Sequence, residues 1–345
     1  MNAARVMTLT VLVGALLLFG MEPMVGRMLV PYFGSAVSTW LTALMFFQIV
    51  LFGGYLYAHL VAPRIGRWHL LLLFLPLLNL PLGVRGEVAP VAPMAQILLS
   101  LTLSVGLPFF VLSTTAVVLQ LWWSRSDLGK DREPYPLYAA SNSGSLLALL
   151  GYPFLVEPLA GLRAQSLVWA AGYVLYAGLV AASWHLARPE PGHAEEVVAS
   201  GPPPSVGELS LWALLAALPS GFLLAVTSVI ANEVGSFPMV WVLPLAIYLG
   251  TFVLLFRDDP VGMGLRRFWP ELGALGLLGY SLASGTSYLL LAFQLTLFFL
   301  YCMVVHGELY TRRPEPAYLT RYYLALSFGG GLGGTVVNLV PPAAF

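Results

Sequence analysis

The sequence predicts an all-α polytopic membrane protein of about 11 transmembrane helices arranged as two parallel repeats. Three observations predict it. Of 345 residues, 59% are hydrophobic and 9% are charged, against about 25% charged residues in soluble domains, so the chain cannot solvate a globular surface. Apolar runs of about 20 residues, the length that crosses a bilayer, recur along it. Two short patterns return in the same order. Gly34-Ser35-x-x-x-x-Trp40 reappears as Gly235-Ser236-x-x-x-x-Trp241, and Ala139-x-Ser141-x-x-Gly144-x-Leu146 as Ala325-x-Ser327-x-x-Gly330-x-Leu332. Ordered repetition of this kind reads as one membrane unit used twice.

Taken in order, the apolar runs place six spans in a first repeat over residues 1–186: 6–25, 37–61, 68–84, 95–122, 137–155 and 162–184. The first run lacks a small-residue cleavage site before Glu22 and is followed by many others, so it reads as a retained helix rather than a signal peptide. Residues 187–208, rich in Pro, Gly and Glu and including Pro202-Pro203-Pro204, form a solvated cytoplasmic linker. The second repeat, 209–345, offers about five spans: 209–231, 237–256, 269–284, 288–305 and 318–340. The third and ninth spans are short. With a cytoplasmic N-terminus, 13 of the 16 Lys and Arg residues fall on the cytoplasmic side, leaving Arg27, Arg85 and Arg163 opposite. That is the asymmetry the positive-inside rule demands. Trp68, Trp122, Trp123, Trp184 and Trp269 fall near span ends, where an amphipathic ring prefers the interface. The repeat aligns the last span with the fifth of the first half, which a sixth follows. Either the protein has eleven spans, or a final helix and any appended domain belong to another chain.

Net charge and cysteine content narrow the function classes. A formal net charge of zero supplies no basic face for a nucleic acid. The single cysteine, Cys302, lies in an apolar run and reads as a small packer, and no intrachain disulfide is available.

Several motifs carry a family resemblance. They are Glu22-Pro-Met-Val-Gly-Arg-x-Leu-Val-Pro-Tyr-Phe-Gly-Ser, Trp40, Phe46-Phe47-Gln48 and Gly54-Tyr55-x-Tyr57-Ala58-His59. Leu137-Tyr138-Ala139-x-Ser141-Asn142-x-Gly144-Ser145-Leu146, Tyr152-Pro153, Glu157-Pro158, Trp241-Val242-Leu243-Pro244-Leu245 and His306-Gly307-Glu308-Leu309 complete the set. Over nearly its whole length the chain resembles the bacterial membrane proteins described as fused major-facilitator-like/spermidine-synthase proteins. The resemblance implies a major-facilitator-like fold, a multi-pass location in the bacterial inner membrane, and a frequent soluble aminopropyltransferase-like domain that these residues do not include. Gly329-Gly330-Gly331-Leu332-Gly333-Gly334 also resembles the Gly-rich loop of spermidine synthases. Its glycines lie inside an apolar run, however, and Leu332 stands where those enzymes carry an acid, so no cofactor is expected. Gly329/Gly333 and Gly330/Gly334 instead form small-x-x-x-small faces for close helix packing, as Gly144 does with Ser141, Ser145 and Ala148.

Ionisable groups at membrane depth are the natural candidates for chemistry. Glu22 leads, with Arg27 five residues on as a pairing partner. Pro23 is expected to kink or end the helix and free carbonyls beside Glu22. Glu233 and Glu157, the latter near Arg163, fall on the same side and complete a candidate substrate site of Glu22, Arg27, Glu157 and Glu233. His306 and Glu308, close to Arg312 and Arg313, form a candidate proton relay. Asn142, in mid-helix, calls for a partner on another helix. No two of His59, His69, His185 and His193 have metal-ligand spacing, so no metal is expected. No Ser-His-Asp order or paired carboxylates are present, and no enzyme activity is expected. Two functions follow. One is a transporter in the lipid bilayer for polyamines or other small organic cations. The other is a non-catalytic membrane subunit or anchor, whose partner supplies a further helix or a soluble domain and docks on the glycine-rich last span.

Overall fold

A computed structural model describes residues 2–34, 37–84, 93–131, 133–188, 201–233, 242–257 and 288–344, with short pieces between 259 and 275. Among the described residues the chain is helical, with no strand. Nine long helices organise it: α1 (Ala3–Phe33), α2 (Val37–Leu60), α3 (Met94–Ser124), α4 (Pro136–Leu159), α5 (Leu162–Ala187), α6 (Val206–Glu233), α7 (Val242–Leu255), α8 (Tyr288–Thr311) and α9 (Leu319–Ala344). Seven of them, α1 to α6 and α8, contain stretches long and apolar enough to cross a membrane. Apolar residues cover these helices all round, as lipid requires. Helices also satisfy their own backbone, which the hydrocarbon cannot do. The chain is therefore a multi-pass membrane protein.

The elements differ from the sequence expectation in instructive places. The expected third span is a 3-10 helix, Gly66–Asn79. Its 14 residues rise about 2 Å each, so they cover roughly 28 Å, as about 19 α-helical residues would. Pro23 does not end the first helix, since α1 continues through Pro23 and Pro31 to Phe33. The second half starts at Val206 rather than Leu209. Ser205 and Glu208 form a reciprocal capping box there: the Ser205 N–H donates to Glu208 Oε2 at 2.8 Å and the Glu208 N–H to Ser205 Oγ at 3.2 Å. The expected ninth span, 269–284, and the second copy of the Gly-Ser…Trp pattern, 235–241, lie largely or wholly outside the described residues. Of the five tryptophans, Trp68 and Trp269 are exposed, the latter at 67%. Trp122 and Trp123 are buried instead, and Trp122 meets Trp184 edge-on at 4.8 Å.

α1 is the hub of the first half and packs on α3, α4 and α5, while α6 packs on α7, α8 and α9. The halves meet mainly through two pairs, α2 with α9 and α4 with α7, with a smaller contact of α9 on α3. Without a hydrophobic force between helices in lipid, close backbone approach must supply the attraction. Glycine supplies it twice. A Cβ on Gly144 of α4 would collide with the Leu12 carbonyl of α1, and Cβ atoms on Gly329 and Gly333 of α9 with the Ala213 and Ala217 carbonyls of α6. A Cβ on Gly334 would come within 3.0 Å of the Gln48 amide of α2. Gly330 is a correction to the packing assignment, since a Cβ there would meet nothing within 4 Å.

Two substitutions on one helix separate these roles. Gly333→Ala is expected to destabilise by about 1–3 kcal/mol through overpacking. Gly330→Ala is expected to be neutral or to stabilise by up to about 1 kcal/mol, by removing backbone freedom from the unfolded chain. Thermal unfolding in mild detergent checks both, and equal losses would show that the glycine contacts are misassigned.

Candidate functional site

Between the halves lies a cavity of about 230 Å³ walled by α1, α2, α3 and α4 on one side and α6, α7 and α9 on the other. The Tyr138–Phe252 and Phe252–Tyr248 pairs, each with centroids 5.4 Å apart and edge-to-face, build an aromatic wall that joins α4 to α7. Phe19, Phe47 and Tyr55 add further rings. One carboxylate faces this space. Glu22 is 8% exposed, lines the cavity, and makes no hydrogen bond or ion pair with any described residue. Pro23, next in sequence, has no N–H to give the Phe19 carbonyl one turn below.

The structure separates Glu22 from its expected partner. Arg27 pairs with Glu157 across α1 and α4, and both side chains are partly exposed. The reason is helical geometry: residues five apart on an α-helix point about 140° from one another. Near this pair, the Tyr152 hydroxyl donates to Gln165 Oε1 at 3.0 Å, and Gln165 Nε2 donates to the Ala160 carbonyl at 2.7 Å. Arg27 and Glu157 are thus brought together, away from the Glu22 cavity. Glu233 closes α6, and its side chain lies outside the described residues.

His306 and Glu308 are likewise not brought together. His306 is 0% exposed, bonds Thr251 Oγ1 through Nδ1 at 2.7 Å and stacks on Phe252 at 3.8 Å. Glu308 instead pairs with Arg266 and Arg312. Residues two apart on a helix do not face one another, and a relay between these two has no path here.

Several residues that the sequence did not place in the substrate site line the cavity, among them Asn142, Ser141 and Ser145, which were expected to serve helix packing. Asn142 donates Nδ2 to the Tyr138 carbonyl of its own helix at 2.8 Å, rather than to another helix, and faces the cavity. Gln48, Tyr55, Tyr138, Ser141 and Ser145 also line it. All of them sit in the motifs quoted for the resemblance, which was the signal available. From the second half come Ser220, Thr227, Tyr248 and Ser327. Gly330 and Gly331 sit there as well, so the bare face of α9 widens the cavity. The Ser327 Oγ is buried without a hydrogen-bond partner. The side chains of Gln48 and Tyr55 have none among the described residues.

Away from the cavity lining, the halves make further contacts near the start of α4. The Tyr135 hydroxyl donates to the Pro314 carbonyl. The Arg313 guanidinium lies over the rings of Tyr310 and Tyr135, at 4.0 and 5.3 Å, and reaches Glu133 at 3.4 Å. Burial raises the Tyr135 hydroxyl pKa above its ordinary value, against the opposing pull of Arg313, so it remains a donor at physiological pH. Tyr323 donates to Gln120 Oε1 at 3.0 Å, and His59 meets Thr320 at 2.8 Å, tying α9 to α3 and α2.

An unpaired buried carboxylate costs stability, and this gives a signature. Glu22→Gln is expected to raise thermal stability by about 1–3 kcal/mol. Glu157→Gln is expected to change it by less than about 1 kcal/mol, as for a partly exposed pair. Unfolding midpoints in detergent check both. A clear loss in Glu22→Gln would reveal a structural partner.

No family model matches the chain, and no curated protein matches it, so the function rests on the geometry of the site itself.

Proposed function

We propose that the protein is a transporter-like carrier that takes a small organic cation, the class that includes polyamines, at the Glu22 cavity. The carrying observation is the unpaired Glu22 carboxylate in a cavity walled by both halves. A buried carboxyl with no partner among the described residues is matched by a cation from outside the chain. A site between two helix bundles is also where alternating access places a substrate, because rocking one bundle against the other exposes it to each side in turn.

The helix contacts support the two-repeat reading. If α1, α2, α3 and α4 correspond to α6, α7, α8 and α9, a two-fold axis along the membrane normal sends most contacts to a second one, while α3–α4 and α3–α9 have no counterpart of comparable size. The pairs α1–α4 and α6–α9, α1–α3 and α6–α8, α2–α3 and α7–α8, and α1–α2 and α6–α7 all occur. Across the halves, α2–α9 is matched by α7–α4. Leu12 and Ala213, whose carbonyls meet the packing glycines, stand the same distance apart in sequence as Gly34 and Gly235. This pattern supports the major-facilitator-like architecture of about eleven spans, with the 3-10 helix as the third. Membership of the fused major-facilitator-like/spermidine-synthase family is proposed from the motifs alone, and a cytoplasmic N-terminus in the inner membrane from those motifs and the distribution of basic residues. The glycine face proposed for a docking partner is taken up by α6 of the same chain and by the cavity.

In proteoliposomes, the wild type is expected to take up a radiolabelled small organic cation and Glu22→Gln to lose that uptake, with both proteins monodisperse. Equal uptake in the two would remove Glu22 from the site.

A further inference from the structure

Resting on that reading of the Glu22 cavity, we infer that its ligand is a compact monocation, one ammonium on an aromatic or apolar body, and that polyamines are excluded. Charge comes first. Among the described residues that line the cavity, Glu22 is the only acid, and none is Lys, Arg or His. One ammonium therefore neutralises the site. A di- or triamine would bring further ammonium groups into a space with no second carboxylate, and each must leave water without a counter-charge.

The walls describe the rest of the ligand. Phe19, Phe47, Tyr55, Tyr138, Tyr248 and Phe252 surround the space. Rings of this kind attract a cation through their faces and an apolar body through area. At about 230 Å³, the cavity exceeds the roughly 150 Å³ that admits benzene. It therefore has room for one ring and a short charged arm. An ammonium presents three donors and no acceptor. The Glu22 carboxylate, the Tyr55 hydroxyl and the Gln48 amide oxygen line the same space as acceptors, and none is used by the described residues. α6 contributes Leu223 and Leu224 beside Ser220 and Thr227, so its wall of the cavity is uncharged.

The test is calorimetric titration and thermal shift on the purified full chain in detergent. The probes are 2-phenylethylamine and tetraethylammonium as monocations, putrescine and spermidine as polyamines, and 2-phenylethanol as an uncharged control. At least one monocation is expected to bind about a hundredfold or more tighter than spermidine and than 2-phenylethanol, with the binding lost in Glu22→Gln. Tyr55→Leu is expected to weaken that monocation by about two- to thirtyfold. Tyr55→Phe, which keeps the ring, should stay within about threefold. Glu22-dependent binding of spermidine at or above the monocations would overturn the inference and leave the cation site standing. Equal binding of 2-phenylethanol would also overturn it, by removing charge as the selector. No binding of any amine, or amine binding unchanged in a folded Glu22→Gln, would overturn the inference together with the site on which it rests.

Discussion

The structure depends on two places where helix backbones touch. Lipid tails solvate a leucine surface as well as another helix does, so apolar area alone holds no bundle together in a membrane. Gly144 lets α4 reach the backbone of α1, and Gly329 with Gly333 lets α9 reach that of α6. These pairs fix the two bundles. α4 and α9 then have further faces left for the opposite half, which α7 and α2 take up. The cavity is the space left over, and the polar sides of α4 and α9 open into it.

A scaffold of this kind can carry a group that costs stability. Glu22 sits on a deeply packed helix, with Met21, Met24 and Val25 beside it in the core, and it is denied the partner five residues on. Arg27 is spent at the rim, on Glu157. An uncompensated buried charge costs several kcal/mol even after relaxation. A cation in the cavity would offset that cost, as the proposed binding at Glu22 requires. Natural proteins depart from their stability optimum in this way at functional positions.

Much of this was legible in the sequence, and the failures have physical causes. Apolar length reveals spans because the bilayer sets the length, which is why α1 to α6, α8 and α9 fall close to their expected positions. Composition cannot distinguish α from 3-10 winding, so Gly66–Asn79 looked too short. Pro23 was expected to break α1, yet membrane helices tolerate proline because neighbouring groups and local adjustments satisfy the freed carbonyl. Glu22 with Arg27 and His306 with Glu308 were paired by closeness along the chain, when the helical repeat already turns each pair onto different faces. Gly329 and Gly330 are adjacent yet do opposite things, about 100° apart around α9. One packs on α6 and the other opens the cavity, a distinction that only the partner helix can make.

The echoes in the sequence carry one more consequence. The register that places Gly34 on Gly235 and Leu12 on Ala213 also places Glu22 on Leu223. Both residues line the cavity, from α1 and from α6. Among the described residues the lining is therefore asymmetric, since α1 supplies the Glu22 carboxylate where α6 has Leu223. A ligand with ammonium groups at both ends would match the symmetry of the helices and leave one end against leucine. A ligand charged at one end matches the side chains instead. Side chains, not helix axes, set the binding energy in a water-poor space, so the asymmetry of the lining governs what the cavity accepts.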